Sequence, residues 1–137
     1  MKTVTIVISI LLLIVFKADA QHSTEITTAS GLRYTMLKEG SGEIAKKGQE
    51  VAIYESMGYV SGKQFYSIEK PSLPIKFVLG EKQAIDGVDE AVTGMKVGEV
   101  RKLIVPPSLS KRTEYPSYLS KDSTLLYKVE LVEIVKK

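Results

Sequence analysis

The chain has 137 residues, of which 44% are hydrophobic and 26% are charged, and its formal net charge is +3. This composition is typical of one soluble domain, and the absence of cysteine excludes disulfides, thiolate nucleophiles and cysteine-ligated metals. Because His22 is the single histidine, histidine metal clusters and Ser-His-Asp triads are not expected either, and we predict no metal and no cofactor. Any function must therefore rest on shape, apolar pockets, backbone groups and hydroxyls.

The first 20 residues have the pattern of a secretory signal peptide. Lys2 gives a positive start, residues 4–16 form an apolar run with two polar interruptions, and Ala18-Asp19-Ala20 is a small-x-small cleavage site. The apolar run is shorter than the about 20 residues that span a bilayer, which argues against a membrane anchor. We therefore predict cleavage after Ala20, a periplasmic or secreted protein, and no membrane contact after cleavage.

Two segments follow the predicted signal peptide. Residues 21–30 are rich in Ser and Thr and poor in apolar side chains, so we predict a flexible leader there. Residues 31–137 are predicted to form one domain. Basic and acidic residues are interspersed along it, which predicts no nucleic-acid partner.

Five or so strands are predicted from six candidate segments, mostly antiparallel because the connections are short. Apolar and polar residues alternate in residues 32–38 and 125–131, and residues 51–60 are rich in β-branched and aromatic side chains. The other candidate segments are residues 63–66, 75–79 and 100–105. One segment has a helical period instead, and Gly94 stands where its C-terminal cap would be. The apolar face of that helix consists of Ala84, Ile85, Val88, Ala91, Val92 and Met95. These elements predict an α+β domain in which one short amphipathic helix covers an apolar sheet face.

Six segments, in order, resemble FKBP-type peptidyl-prolyl isomerases. They are Lys47-Gly48 before the strand that holds Tyr54, then Gly62–Phe65, Pro74–Gly80, Ala84–Gly87, Gly94–Glu99 and Leu125–Leu131. The match extends from about Gly31 to Val135, and residues 28–34 resemble the start of exported bacterial members. The resemblance implies a twisted antiparallel sheet wrapped around one helix, with the ligand pocket between them.

The resemblance also implies an enzyme that rotates Xaa-Pro bonds in proline-containing polypeptides and assists the folding of exported proteins. The barrier to this rotation is about 18–20 kcal/mol because the planar amide is stabilised by resonance. No covalent bond is made or broken, so neither a nucleophile nor a metal is needed. An apolar pocket can accelerate the rotation by binding the twisted amide better than the planar one.

Four positions match the pocket of the family and are the predicted catalytic residues. Tyr54 and Phe65 match aromatic wall positions, and Tyr127 places another aromatic ring where the family has Phe. Ile85 matches the position whose backbone N–H donates a hydrogen bond to the substrate carbonyl.

Four further positions, the predicted substrate-binding residues, depart from the family. Tyr66 stands where the family has Asp, Ile75 where it has Phe, Ala84 where it has Val, and Val88 where it has the Trp of the pocket floor. A family loop, Tyr-x-Tyr-Gly, whose second Tyr donates a hydrogen bond to the ligand, is here Ser-Leu-Ser-Lys at residues 108–111. These changes predict a degenerate pocket that has lost the carboxylate at position 66.

The loss of the floor Trp at Val88 leaves two hypotheses open. An indole buries about 150–250 Å², so its loss removes several kcal/mol of possible contact. The space can stay open, or Tyr66, Tyr115 or Tyr118 can fold inward to fill it. An open apolar cleft favours an isomerase with reduced activity, and a collapsed cleft favours a non-catalytic FKBP-like module that binds a peptide or a protein.

Overall fold

The computed structural model describes residues 23–137 of the chain. It contains seven strands, one α-helix and a short 3-10 turn at Pro107–Leu109. The strands and the helix are β1 Glu25–Thr27, β2 Arg33–Lys38, β3 Glu50–Tyr59, β4 Gln64–Ile68, β5 Ile75–Val78, α1 Asp86–Val92, β6 Val100–Val105 and β7 Leu125–Ile134. The predicted signal peptide lies outside the described residues. Neither helix within residues 23–137 has the length and apolar character that crossing a membrane requires.

All seven strands belong to one antiparallel sheet, with the order β1-β2-β6-β7-β3-β4. Strand β3 has ten residues, and one of its edges pairs with β7. Its other edge pairs with β5 along the first half of the strand and with β4 along the second half. The sheet packs against the single helix, which confirms the predicted α+β class.

The predicted flexible leader contains a strand, so that part of the sequence prediction was wrong. Strand β1 pairs with β2 through three residues, from Glu25 opposite Thr35 to Thr27 opposite Arg33. The turn between them is closed by the Thr28 N–H, which donates to the carbonyl of Leu32 at 2.8 Å. The Ser- and Thr-rich composition conceals this strand because its three side chains are all exposed and give no apolar alternation.

Helix α1 is shorter than the predicted apolar face, but its buried side is the predicted one. Val88, Ala91 and Val92 are at most 2% exposed. Gly94 has a φ of +93°, which glycine adopts without steric cost, and its N–H donates to the carbonyl of Ala45 at 2.8 Å. This confirms the predicted C-terminal cap and turns the chain so that Met95 enters the core.

The core lies between α1 and the inner face of the sheet. Its fully buried members include Leu32, Val51, Ile53, Leu79, Val92, Met95, Leu103, Val129 and Leu131. A charged pair lies beside it at the start of β6: Arg101 Nε is 2.6 Å from Oε2 of Glu99, the residue before the strand, and both side chains are nearly inaccessible. Arg101 also donates to the carbonyl of Ala91 at 3.0 Å, and its guanidinium lies 4.4 Å from the centre of the Tyr34 ring. The pair therefore connects β2, β6 and the last turn of α1.

Candidate functional site

A cavity of about 260 Å³ lies between α1, strands β3, β4, β5 and β7, and the loop that follows β6. Its apolar lining consists of Ile53, Ile75, Phe77, Ala84, Ile85 and Val88. Its polar lining consists of Glu55, Tyr66, Lys76, Gln83, Arg112 and Tyr127. Six of the eight predicted site residues meet here: Tyr66, Ile75, Ala84, Ile85, Val88 and Tyr127.

Tyr54 does not reach this cavity. Successive side chains of a strand point to opposite faces, and in β3 the cavity receives Ile53 and Glu55. The Tyr54 hydroxyl instead donates to the carbonyl of Ser72 at 2.9 Å. The extra residue where β3 pairs with β7 is Val132, on β7, so alternation along β3 continues unbroken and places Tyr54 on the face opposite Ile53 and Glu55. The prediction for Tyr54 came from the family resemblance and not from this alternation.

Phe65 also lies outside the lining of the cavity. The pairing of β3 with β4 shifts register here, and Phe65 is the extra residue on β4. Its ring packs against Tyr59 and Tyr118, with centroid distances of 4.7 Å and 4.9 Å. The next residue, Tyr66, reaches the cavity instead.

The cavity contains a carboxylate that the sequence analysis missed. The Tyr66 hydroxyl donates to Glu55 Oε1 at 2.5 Å. The resemblance predicted that the site had lost its carboxylate, but Glu55 supplies one from the neighbouring strand. Burial raises the pKa of Glu55, although the Tyr66 hydrogen bond and the charge of Arg112 both act in the opposite direction. An acidic residue among the apolar residues of β3 was the signal available in the sequence.

Arg112 is the second functional side chain that the sequence analysis missed. It comes from the loop after β6, and its Nη2 donates to the Tyr127 hydroxyl at 2.7 Å. Burial raises the pKa of Tyr127, and burial followed by the Glu55 charge raises the pKa of Tyr66. Both phenols therefore stay protonated near neutral pH. A single arginine in a polar loop gave no signal in the sequence.

Val88 contributes to the lining of the cavity, although only 2% of the residue is exposed. Of the three tyrosines considered for this place, Tyr66 lines the cavity, while Tyr118 is 51% exposed and packs on Phe65. The Tyr115 hydroxyl accepts a hydrogen bond from the backbone N–H of Arg112 at 3.3 Å. The result is a cleft with an apolar floor and a polar rim.

Replacing Glu55 with Gln should raise the unfolding free energy at pH 7, because the amide removes the cost of a buried charge. The raised pKa means that, above the ordinary pKa of 4.5, the unfolded chain releases this proton before the folded chain does. The stability of the wild-type protein therefore falls as the pH rises above 4.5. In the variant, the amide keeps an acceptor for the Tyr66 hydroxyl and carries no charge. Urea unfolding from pH 3.5 to pH 8 should give curves that separate above about pH 4.5. A constant difference across this range would contradict the expectation.

The fold and the cleft define a class: a single-helix α+β domain with a small cavity between helix and sheet. Within residues 23–137, no group of three His, Cys, Asp or Glu residues is placed to hold a metal ion. Residues 41–132 match the family described as FKBP-type peptidyl-prolyl cis-trans isomerase. The chain belongs to this family, which confirms the resemblance and the predicted class of enzyme.

Individual relatives agree with this assignment. The chain is 34% identical over 153 residues to the chloroplastic peptidyl-prolyl cis-trans isomerase FKBP19 of Arabidopsis thaliana, covering 87% of this chain and 59% of that protein. It is 35% identical over 103 residues to FK506-binding protein 1 of Dictyostelium discoideum, covering 74% of this chain and 96% of that protein. The crystal structure of FkpA from Escherichia coli superposes with a TM-score of 0.72 at 28% identity, covering 84% of this chain and 53% of that one. The chain thus spans little more than half the length of two of these three proteins.

Proposed function

We propose that this chain is a peptidyl-prolyl cis-trans isomerase that acts on proline-containing segments of exported proteins, with lower activity than a pocket with a tryptophan floor would have. The observation that carries the proposal is the cavity lined by Ile75, Ile85 and Val88, with the Ile85 N–H as a backbone donor at its border. Among the hydrogen bonds of residues 23–137, none uses the Ile85 N–H as donor. A substrate carbonyl is the acceptor that this donor would take.

The proposed mechanism uses the cleft to favour the twisted amide. A proline ring placed on Val88 and Ile75 would leave water, and the adjoining carbonyl would accept from the Ile85 N–H. Rotation removes the amide resonance, so an environment that binds the twisted form better than the planar form lowers the barrier. The Tyr127 and Tyr66 hydroxyls, held by Arg112 and Glu55, define the polar rim of the site.

Export is supported by the sequence of the first 20 residues. A periplasmic or secreted isomerase would act where newly exported chains fold, and uncatalysed proline isomerisation takes tens of seconds at 25 °C. The full-length chain, expressed in a bacterial host, should be recovered outside the cytoplasm with an intact mass that lacks residues 1–20.

Isomerisation of a short Xaa-Pro peptide, followed without a coupling protease, tests the proposed activity. The rate should increase in proportion to the concentration of the recovered protein. The polar rim is the observation that favours the alternative, a binding module without catalysis, because isomerisation as such needs no charged side chain. A folded protein that binds the peptides but leaves the rate at its uncatalysed value would establish that alternative.

Replacing Val88 with Trp should raise kcat/KM for a Leu-Pro peptide about tenfold, because an indole adds contact area of up to about 150–250 Å² at the floor. Overpacking can cost about 1–3 kcal/mol of stability, so the melting temperature is measured on the same sample. The chain contains no Trp, so the new indole also reports peptide binding by fluorescence. Val88→Leu is the control for added size without the ring. A folded Val88→Trp variant with no gain would show that the cleft does not place proline on this residue.

A further inference from the structure

Arg112 is held in the cleft by contacts on both its backbone and its side chain. Its backbone N–H donates to the Tyr115 hydroxyl at 3.3 Å, and its Nη2 donates to the Tyr127 hydroxyl at 2.7 Å. The same nitrogen lies 3.9 Å from the sulfur of Met57. These contacts fix the guanidinium against the wall of the cleft, so its charge has a defined position there.

This charge has no ion-pair partner within residues 23–137. None of the four salt bridges in this part of the chain includes Arg112. Its Nε is buried and makes no hydrogen bond. Glu55, the one carboxylate that lines the cleft, already accepts the hydrogen bond of Tyr66. A ligand in the cleft cannot reach the buried Nε, but Nη1 also makes no hydrogen bond to the described residues and is not buried, so an acceptor on a ligand can bind there.

The charges around the cleft also favour a ligand that supplies an acceptor. Arg112 and Lys76 contribute two positive charges to its lining, and Glu55 contributes one negative charge. The lining therefore favours an anionic group over a cationic one. A guanidinium is matched to a carboxylate in particular, because its N–H groups form a planar fork that can bind both oxygens.

We propose that Arg112 makes this cleft selective for an acidic side chain, Asp or Glu, immediately before the proline. This inference rests on the isomerase function proposed above and adds a substrate preference to it. At about 260 Å³ the cavity is small for a ligand site, so a proline ring on Val88 leaves room for the neighbouring side chain only. When the carbonyl of the proline residue accepts a hydrogen bond from the Ile85 N–H, the residue before the proline reaches the rim that carries Arg112.

The test compares three peptides that differ only before the proline, where they carry Glu, Gln or Leu. Wild-type protein should show a kcat/KM about tenfold higher for Glu-Pro than for Gln-Pro, since charge-assisted hydrogen bonds are about twice as strong as neutral ones. The ratio should fall to near one in Arg112→Gln. Lys111→Gln is the matched control, because it removes the same charge from the adjacent, exposed residue outside the cavity and should keep the ratio.

Binding of the same peptides, measured by fluorescence anisotropy, separates this inference from the isomerase proposal. Catalysis with equal rates for Glu-Pro and Gln-Pro would overturn the acidic preference and leave the isomerase function in place. Tighter binding of Glu-Pro without catalysis would support the role of Arg112 and overturn the isomerase function. Equal affinities, or binding of neither peptide, would overturn the acidic preference. The wild-type comparison stands even if Arg112→Gln fails to fold.

Discussion

Replacing Ile85 with Pro is expected to lower kcat/KM for Xaa-Pro isomerisation about 10- to 100-fold, because the substrate loses the hydrogen bond that positions its carbonyl in the cleft. Proline removes the backbone N–H at this position. It fits the local conformation, because the φ of Ile85 is −61° and proline fixes φ near about −65°. The residue also precedes the first helical turn, so the helix loses no internal hydrogen bond.

The matched control is Ile85→Val, which keeps the N–H and has a side chain of similar size. This valine variant should retain most of the activity, and circular dichroism should show that both variants are folded. An equal loss in the two variants would mean that the side chain matters and the N–H does not. A folded proline variant with wild-type activity would exclude the backbone donor from the mechanism.

Replacing Arg101 with Ala should lower the free energy of unfolding by about 3–5 kcal/mol, which is the typical cost of breaking a buried ion pair. The change leaves the Glu99 carboxylate buried without its partner. It also removes the donor to the Ala91 carbonyl and the cation above the Tyr34 ring. Urea unfolding at pH 7 measures the loss.

Two controls separate the buried charge from the loss of side-chain packing. The double variant Arg101→Met, Glu99→Leu should regain much of the stability, because an apolar pair of similar volume leaves no unpaired charge. Arg33→Ala removes the exposed ion pair with Glu25 and should cost less than about 1 kcal/mol. A loss below about 1 kcal/mol for Arg101→Ala would show that the pair carries little net stability.

The regular parts of the fold could be predicted because alternation and helical period report burial directly. The predicted strand at residues 100–105 coincides with β6, and the buried side of α1 is the predicted face. Strand β1 escaped prediction because its side chains are exposed and give no apolar alternation. The last strand continues to Ile134, beyond the predicted end at residue 131.

The site was predictable where its residues come from the helix and its approach, and less so where they come from the sheet. Ala84, Ile85 and Val88 lie at the cavity because a helical face cannot slip by one residue without exposing its apolar side. On β4, the extra residue Phe65 interrupts the pairing and Tyr66 turns inward. On β3, regular alternation turns Glu55 inward and leaves Tyr54 on the opposite face. The family resemblance, from which Tyr54 and Phe65 were predicted, does not report these local features.

The seven-residue length of α1 has a consequence for how the cleft persists. Isolated helices shorter than about 12–15 residues are marginal in water, so α1 keeps its form only while its buried face stays docked on the sheet. Val88 lies in this helix, and Ile85, which carries the backbone donor, is its N-cap residue. A transient undocking would thus dismantle the cleft as a unit, long before the sheet itself opened. Peptide binding to the cleft and docking of the helix are therefore coupled equilibria. A bound peptide would stabilise the docked helix by a free energy that grows with the logarithm of the peptide concentration.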